Sequence, residues 1–80
     1  MIIIYEMKTC PDCIALDKQL SDSERFRRVD IGEHVANMKE FIRLRDTNPA
    51  FDEAKREGHI GIPCFVKEDG TICFDIGEVK

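Results

Sequence analysis

This chain of 80 residues has no apolar run that approaches the ~20 residues needed to cross a membrane. Its first residues also lack the basic stretch and small-residue cleavage site that are typical of a secretory signal peptide. Basic residues are not in excess, because the formal net charge is -4 at pH 7. An acidic balance makes nucleic acid or an anionic membrane a poor partner. Without repeats, linkers or low-complexity segments, the chain is predicted to form one cytoplasmic domain over residues 1–80.

The most informative feature that is present is a pair of cysteines, Cys10 and Cys13, separated by Pro11 and Asp12. The pair follows the apolar run 2–5 and precedes a helical pattern, which places it where a strand ends and a helix begins. There, unpaired N–H groups and the positive end of the helix dipole favour the thiolate of Cys10. Cys13 lies one turn later on the same face, close enough to form a disulfide. This spacing predicts a redox-active dithiol.

Four cysteines in so short a chain would also suit a secreted domain held together by disulfides. The missing export signal and a hydrophobic content of 42% favour a reducing compartment and a working dithiol instead. A metal site is the second possibility, although Cys10 and Cys13 alone cannot fill a tetrahedral zinc site. Cys64 and Cys73 are candidates to complete one. Both are more simply explained as small buried core residues, but Cys64 follows Pro63 and is therefore a candidate for a redox or ligand role.

Apolar periodicity and turn residues predict an alternation of strands and helices. Strands are expected over 2–6, 26–31, 62–68 and 71–76, and helices over 11–22, 33–46 and 49–57. The chain order β-α-β-α-α-β-β implies a parallel first pair of strands and an antiparallel last pair, in a mixed four-stranded sheet flanked by helices. Asn48 is expected to cap the third helix, in which Pro49 takes the first position. The core face of the second helix is expected to comprise Val35, Met38, Phe41 and Ile42. The charged side chains Arg43, Arg45, Lys55 and Arg56 are expected to form a solvated face.

Asp69-Gly70 predicts a two-residue hairpin turn between the last two strands. That turn would pair Val66 with Cys73, so that Cys64 and Cys73 share one face of the sheet. Phe65, Ile72 and Phe74 are likewise expected to share a face, which would need a cover. We predict that either Phe51 packs over the sheet or the protein dimerises.

Cys10-Pro11-Asp12-Cys13 after the first strand and Gly61-Ile62-Pro63 opening the third resemble the glutaredoxin branch of the thioredoxin-like superfamily. The glycine near the C-terminus, Gly77, is a fainter similarity. The resemblance covers most of the chain and implies an α/β thioredoxin-like fold without the family's final helix. It also implies a cis peptide bond before Pro63, with the backbone of Ile62 pairing with a bound glutathione or peptide.

The same resemblance implies a thiol–disulfide oxidoreductase in which Cys10 is the nucleophile and Cys13 the resolving thiol. No tightly bound cofactor or metal is expected, and glutathione is the implied co-substrate. Disulfide-containing proteins or small molecules would be the partners of a monomer or weak homodimer. The residues expected to contact substrate are Lys8, Thr9, Pro11, Asp12, Ile62, Pro63 and Gly77.

Three departures from the family pattern bear on the electron donor. Asp12 stands where Tyr or Phe is usual, and a carboxylate there disfavours the Cys10 thiolate and makes the pair more reducing. Met7 occupies the position of the family's lysine, with Lys8 one residue later, and the Gly-Gly-x-Asp segment is absent. A thioredoxin-reductase-type partner is therefore the alternative donor. The alternative function is a metal or iron–sulfur module in which Cys64 or a second protomer adds ligands to the dithiol.

Overall fold

The sheet has four strands, β1 (Ile2–Glu6), β2 (Phe26–Asp30), β3 (Cys64–Val66) and β4 (Ile72–Cys73), in the spatial order β2-β1-β3-β4. The computed structural model describes residues 2–19, 26–75 and 77. Strand β2 (Phe26–Asp30) runs parallel to β1, with Ile2 opposite Phe26. The short strands β3 (Cys64–Val66) and β4 (Ile72–Cys73) add antiparallel pairings. The mixed sheet predicted from the order of the elements is confirmed.

In the part of the chain that the structure describes, three helices accompany the sheet: α1 (Pro11–Gln19), α2 (Val35–Thr47) and α3 (Asp52–Glu57). A single 3-10 turn, Pro49–Phe51, leads into α3, and the Asn48 side chain accepts the N–H of Ala50 at 2.9 Å. The predicted capping role of Asn48 is thus confirmed. Helix α1 begins at Pro11 as expected, while its predicted last turn, 20–22, lies outside the described residues.

The side chains of β1 alternate between two apolar clusters, one on each face of the sheet. On one face, Tyr5 packs in a cluster with Phe41 of α2 and with Phe51. On the other face, Ile4 packs in a cluster with Leu16 of α1. Helix α1 therefore covers one face, whereas α2 and the 3-10 turn cover the opposite one.

The predicted core face of α2 is wrong at two of its four positions. Phe41 is buried and Met38 partly buried, but Val35 is 71% and Ile42 43% exposed. Leu44 is partly buried in their place. At about 100° per residue, a face centred on Phe41 leaves Ile42 about 100° and Val35 about 120° away from it. These two side chains therefore point away from the sheet.

The predicted register of the β3–β4 hairpin is wrong by one residue. Phe65 pairs with Cys73 and Val66 with Ile72, which leaves the three-residue loop 68–70. Gly70 has φ +91° and donates its N–H to the Lys67 carbonyl at 2.9 Å. A type I turn followed by a glycine at positive φ is the usual form of such a loop. Both strands are also shorter than predicted.

This shift moves every side chain of β4 to the other face of the sheet. Cys73 packs with Phe65, while Cys64 belongs to the opposite cluster, so the two cysteines do not share a face. Ile72 packs on the Cys64 side and does not share a face with Phe65. The prediction that these residues lie together on one face is therefore wrong.

The prediction that Phe51 covers the sheet is confirmed. Its ring is fully buried and makes edge-on contacts with Phe41 at 5.7 Å and with Phe74 at 5.3 Å between ring centroids. Such T-shaped pairs are a favoured aromatic geometry.

Within the described ranges, no helix combines the length and the apolar character that a membrane-spanning segment needs.

Candidate functional site

Cys10 and Cys13 lie at the start of α1, directly after the loop that follows β1. The Cys10 carbonyl accepts the N–H of Ile14 at 2.9 Å, which makes Cys10 the N-cap of the helix. The two cysteines come within 3.3 Å of each other and both are free thiols. Cys10 is half-buried, whereas only 2% of Cys13 is exposed. One thiol is therefore accessible and its neighbour is sheltered.

The electrostatics of the pair separate the two thiols further. Burial raises the pKa of Cys13, and its hydrogen bond to Cys10 and the charges of Cys10 and Glu6 raise it too, against a backbone hydrogen bond from Met7. Cys13 therefore holds its proton more tightly than an ordinary thiol. Cys10, in contrast, is half-buried and lies at the N-terminus of a helix, where the positive end of the helix dipole is.

A groove of about 880 Å³ borders Cys10. One wall is the start of α1 and the other is loop 58–63, which carries the cis peptide bond Ile62–Pro63. The cis bond expected from the resemblance is confirmed. Five of the seven predicted substrate residues line this groove with Cys10, namely Thr9, Pro11, Asp12, Ile62 and Pro63.

Loop 58–63 is held in place from beneath. Arg45 of α2 donates from Nε to the Ile60 carbonyl at 2.8 Å and from a terminal nitrogen to the His59 carbonyl at 2.7 Å. Gly61 has φ +96° and lies so close to Phe51 that a Cβ there would be 3.0 Å from the ring. Arg45, predicted to lie on a solvated face, is half-exposed, and its guanidinium also binds the loop.

The backbone of Ile62 is left open by this arrangement. Within the described residues, neither its N–H nor its carbonyl makes a hydrogen bond. Ile62 lines the groove beside Cys10. An extended chain lying in the groove can therefore pair with this backbone, as a strand is added to the edge of a sheet.

A second cavity, of about 470 Å³, borders Cys13 and contains an ion-pair network that the sequence analysis missed. Glu6, 9% exposed, accepts two hydrogen bonds of 2.7 Å from Arg28, which also contacts Asp17 at 2.8 Å. These contacts raise the pKa of Arg28, chiefly through the hydrogen bonds to Glu6. The network joins β1, β2 and α1. The sequence feature that could have indicated this network is Glu6, a carboxylate at the end of an apolar strand.

Two predicted substrate residues lie elsewhere. Lys8 lines the second cavity, and is not among the residues that line the groove. Gly77 donates its N–H to the Asp75 carboxylate at 2.9 Å and is also absent from the groove lining. The structure therefore brings together the residues adjacent to the dithiol and Pro63, but not these two.

A protein of Haemophilus influenzae, described as uncharacterized, is 33% identical to this chain over 79 residues. The match covers 98% of this chain and 92% of that protein. The chain belongs to the family of this Haemophilus influenzae protein. No family model and no solved structure matches the chain. The family is thus defined over nearly the whole length of both proteins.

The two remaining cysteines of this family member are buried away from the groove. Burial, and then the charge of Cys73, raises the pKa of Cys64 to about 12. Among the residues that the structure describes, no group of three or more His, Cys, Asp or Glu side chains is placed to hold a metal ion. The described side chains therefore do not complete a metal site with Cys10 and Cys13.

Proposed function

We propose that this protein is a thiol–disulfide oxidoreductase with a thioredoxin-like fold and a glutaredoxin-type dithiol. The observation that carries the proposal is the asymmetry of the pair. Cys10 is accessible, caps a helix and borders the groove, while the buried Cys13 comes within 3.3 Å of it. In disulfide exchange the accessible thiol attacks and its sheltered neighbour resolves the mixed disulfide.

The proposed reaction has two exchange steps. The Cys10 thiolate attacks one sulfur of a substrate disulfide, forms a mixed disulfide with it, and releases the other sulfur as a thiolate. Cys13 then attacks the Cys10 sulfur, which breaks the mixed disulfide and forms the Cys10–Cys13 disulfide. The proton of Cys13 passes to the departing substrate thiolate. The protein dithiol loses two electrons and the substrate disulfide gains them.

The groove supplies the binding part of this proposal. The open backbone of Ile62 pairs with the substrate chain on one side of the sulfur under attack, and Pro63 lies beside the dithiol. Main-chain pairing of this kind holds an extended segment without demanding a particular side chain. Glutathione as co-substrate and a cytoplasmic location remain predictions from the sequence and the resemblance.

Trapping of the mixed disulfide tests the chemistry. Reduced wild type, Cys10→Ser and Cys13→Ser are incubated with hydroxyethyl disulfide, a neutral probe, and analysed by intact mass spectrometry. We expect Cys13→Ser to keep one mercaptoethanol adduct on Cys10, wild type to end with an internal disulfide, and Cys10→Ser to remain unmodified.

The matched control is Cys64→Ser, which changes a buried cysteine outside the groove and should react as wild type does. An adduct that forms equally in Cys10→Ser, or no adduct in Cys13→Ser, would contradict the assignment of Cys10 as the attacking thiol.

Glutathione-dependent turnover of the same probe then identifies the electron donor. Turnover that is lost in Cys10→Ser but partly kept in Cys13→Ser supports glutathione, and trapping without turnover indicates another reductant.

A further inference from the structure

The groove beside Cys10 is acidic. Its lining includes the carboxylates of Asp12, Glu53 and Glu57, and none of the described residues that line it is a lysine or an arginine. Among these described residues, the imidazole of His59 is the single candidate cation. Any partner that enters the groove therefore meets an excess of negative charge next to the reactive sulfur.

The carboxylates of α3 are available to such a partner. Glu53 and Glu57 are four residues apart and so lie on the same side of the helix. Glu53 has no hydrogen-bond or ion-pair partner within the described part of the chain. Glu57 lies 3.6 Å from His59, a contact that is ionic only when the histidine is protonated.

Basic side chains that adjoin or bind the lining residues do not themselves line the groove, and these include Arg56, which precedes Glu57. Lys8 lines the second cavity, Arg45 binds the carbonyls of loop 58–63, and Lys55 lies 3.9 Å from Asp52. None of the three lines the groove. Within the described residues, the groove therefore offers a substrate carboxylate no lysine or arginine, and His59 alone as a candidate cation.

Building on the proposed function, we propose that the groove selects a basic protein segment. The partner is an extended stretch with lysine or arginine beside a cysteine that is held in a disulfide. Its main chain pairs with Ile62, its cationic side chains meet Glu53 and Glu57, and its apolar atoms contact the exposed Ile60 and Phe74. Complementary charge raises the rate of encounter and excludes partners of the wrong sign.

Glutathione is a poor match for the same surface. The tripeptide has more carboxylates than ammonium groups, so its net charge is negative at neutral pH. In a groove without lysine or arginine its carboxylates are unpaired and face like charge. Glutathione disulfide is therefore expected to react more slowly than a basic peptide disulfide of ordinary reactivity.

Two peptides of equal length provide the test. Each carries one cysteine in a mixed disulfide with mercaptoethanol, flanked by lysines in one peptide and by glutamates in the other. Single-turnover reduction by the protein is measured at low and high salt, together with glutathione disulfide. Every rate is divided by the rate with dithiothreitol, a neutral dithiol, which corrects for the intrinsic reactivity of each disulfide.

We expect the lysine peptide to react at least ~10-fold faster than the glutamate peptide at low salt, the lower end of electrostatic steering. The preference should fall at high salt, because salt screens exposed charges. Glu53→Gln and Glu57→Gln should each reduce it. Asp46→Asn removes one exposed carboxylate outside the groove and should leave it unchanged.

Equal normalised rates, or a preference for glutathione disulfide, would overturn the selectivity for basic segments. An equal effect of Asp46→Asn and Glu53→Gln would overturn the role of the groove, because net charge alone would then explain the preference. These outcomes are distinct from failure of the proposed function. That failure would appear as no adduct on Cys10 in the Cys13→Ser variant, neither the peptide nor the mercaptoethanol that Cys10 would carry after attack on the other sulfur.

Discussion

Replacing Gly61 by alanine would place a methyl group in space that Phe51 already fills. The new Cβ would lie 3.0 Å from Cδ1 and 3.1 Å from Cε1 of a fully buried ring held by Phe41 and Phe74. A side chain at φ +96° costs about 1–2 kcal/mol, and overpacking a core costs about 1–3 kcal/mol. The sum is about 2–5 kcal/mol, against a total stability of about 4–12 kcal/mol for a chain of 80 residues.

Urea unfolding of wild type and Gly61→Ala measures this loss. With an m-value of about 1 kcal/mol per M, the midpoint is expected to fall by about 2 M or more. Gly70→Ala is the matched control, because Gly70 has a similar φ of +91° but a Cβ there would meet nothing within 4 Å. That variant should lose only the backbone contribution, about 1–2 kcal/mol.

A smaller side chain at position 51 is expected to relieve the clash in Gly61→Ala. In the Gly61→Ala background, Phe51→Leu removes the ring carbons that the methyl group would meet, so its own cost should be smaller than in wild type. Equal losses for Gly61→Ala and Gly70→Ala, or strictly additive effects of Gly61→Ala and Phe51→Leu, would refute the proposed contact.

Two further predictions concern buried polar and thiol groups. Glu6→Gln should lower the free energy of unfolding in urea by about 1–3 kcal/mol, because Arg28 keeps its charge but loses a paired carboxylate. Asp17→Asn, at a contact that is mostly exposed, should lower it by less than about 1 kcal/mol. Equal losses in the two variants would argue against the buried pair. For Cys64, burial raises the pKa from 9.0 to about 12, so the folded state keeps a proton that the unfolded state loses. Stability should therefore fall as pH rises from about 9 towards 12, with a shallower fall in Cys64→Ala, and the same slope in both proteins would contradict this assignment.

Local chemistry explains why the dithiol could be predicted from the sequence. The spacing of Cys10 and Cys13 and the start of α1 at Pro11 depend on residues within one turn of each other. The parallel and antiparallel pairings likewise follow from the order of strands and helices. The position of Ile62 and Pro63 beside Cys10 came from the resemblance to a family, since no local pattern indicates it.

The features that sequence reasoning missed depend on contacts between distant residues or on one backbone angle. Asp69-Gly70 is compatible with two-residue and three-residue loops, and the choice between them decides which face Cys73 occupies. Arg45 and Glu6 look like ordinary charged residues until the fold brings them to the loop carbonyls and to Arg28. The position of Glu53 in the groove depends in the same way on how α3 packs.

The two faces of the sheet differ in the side chains that cover them. The face under α2 is closed by three aromatic rings, with Phe41 in contact with both Tyr5 and Phe51. Among the described residues, the face under α1 is closed by Leu16 over a smaller cluster, assisted by the exposed contact of Asp17 with Arg28. Opening of a native protein begins where few apolar contacts must be given up. The helix that carries Cys13 is accordingly on the side with fewer described apolar contacts, so we expect Cys13 to become exposed by a subglobal fluctuation that leaves the aromatic side of the molecule folded.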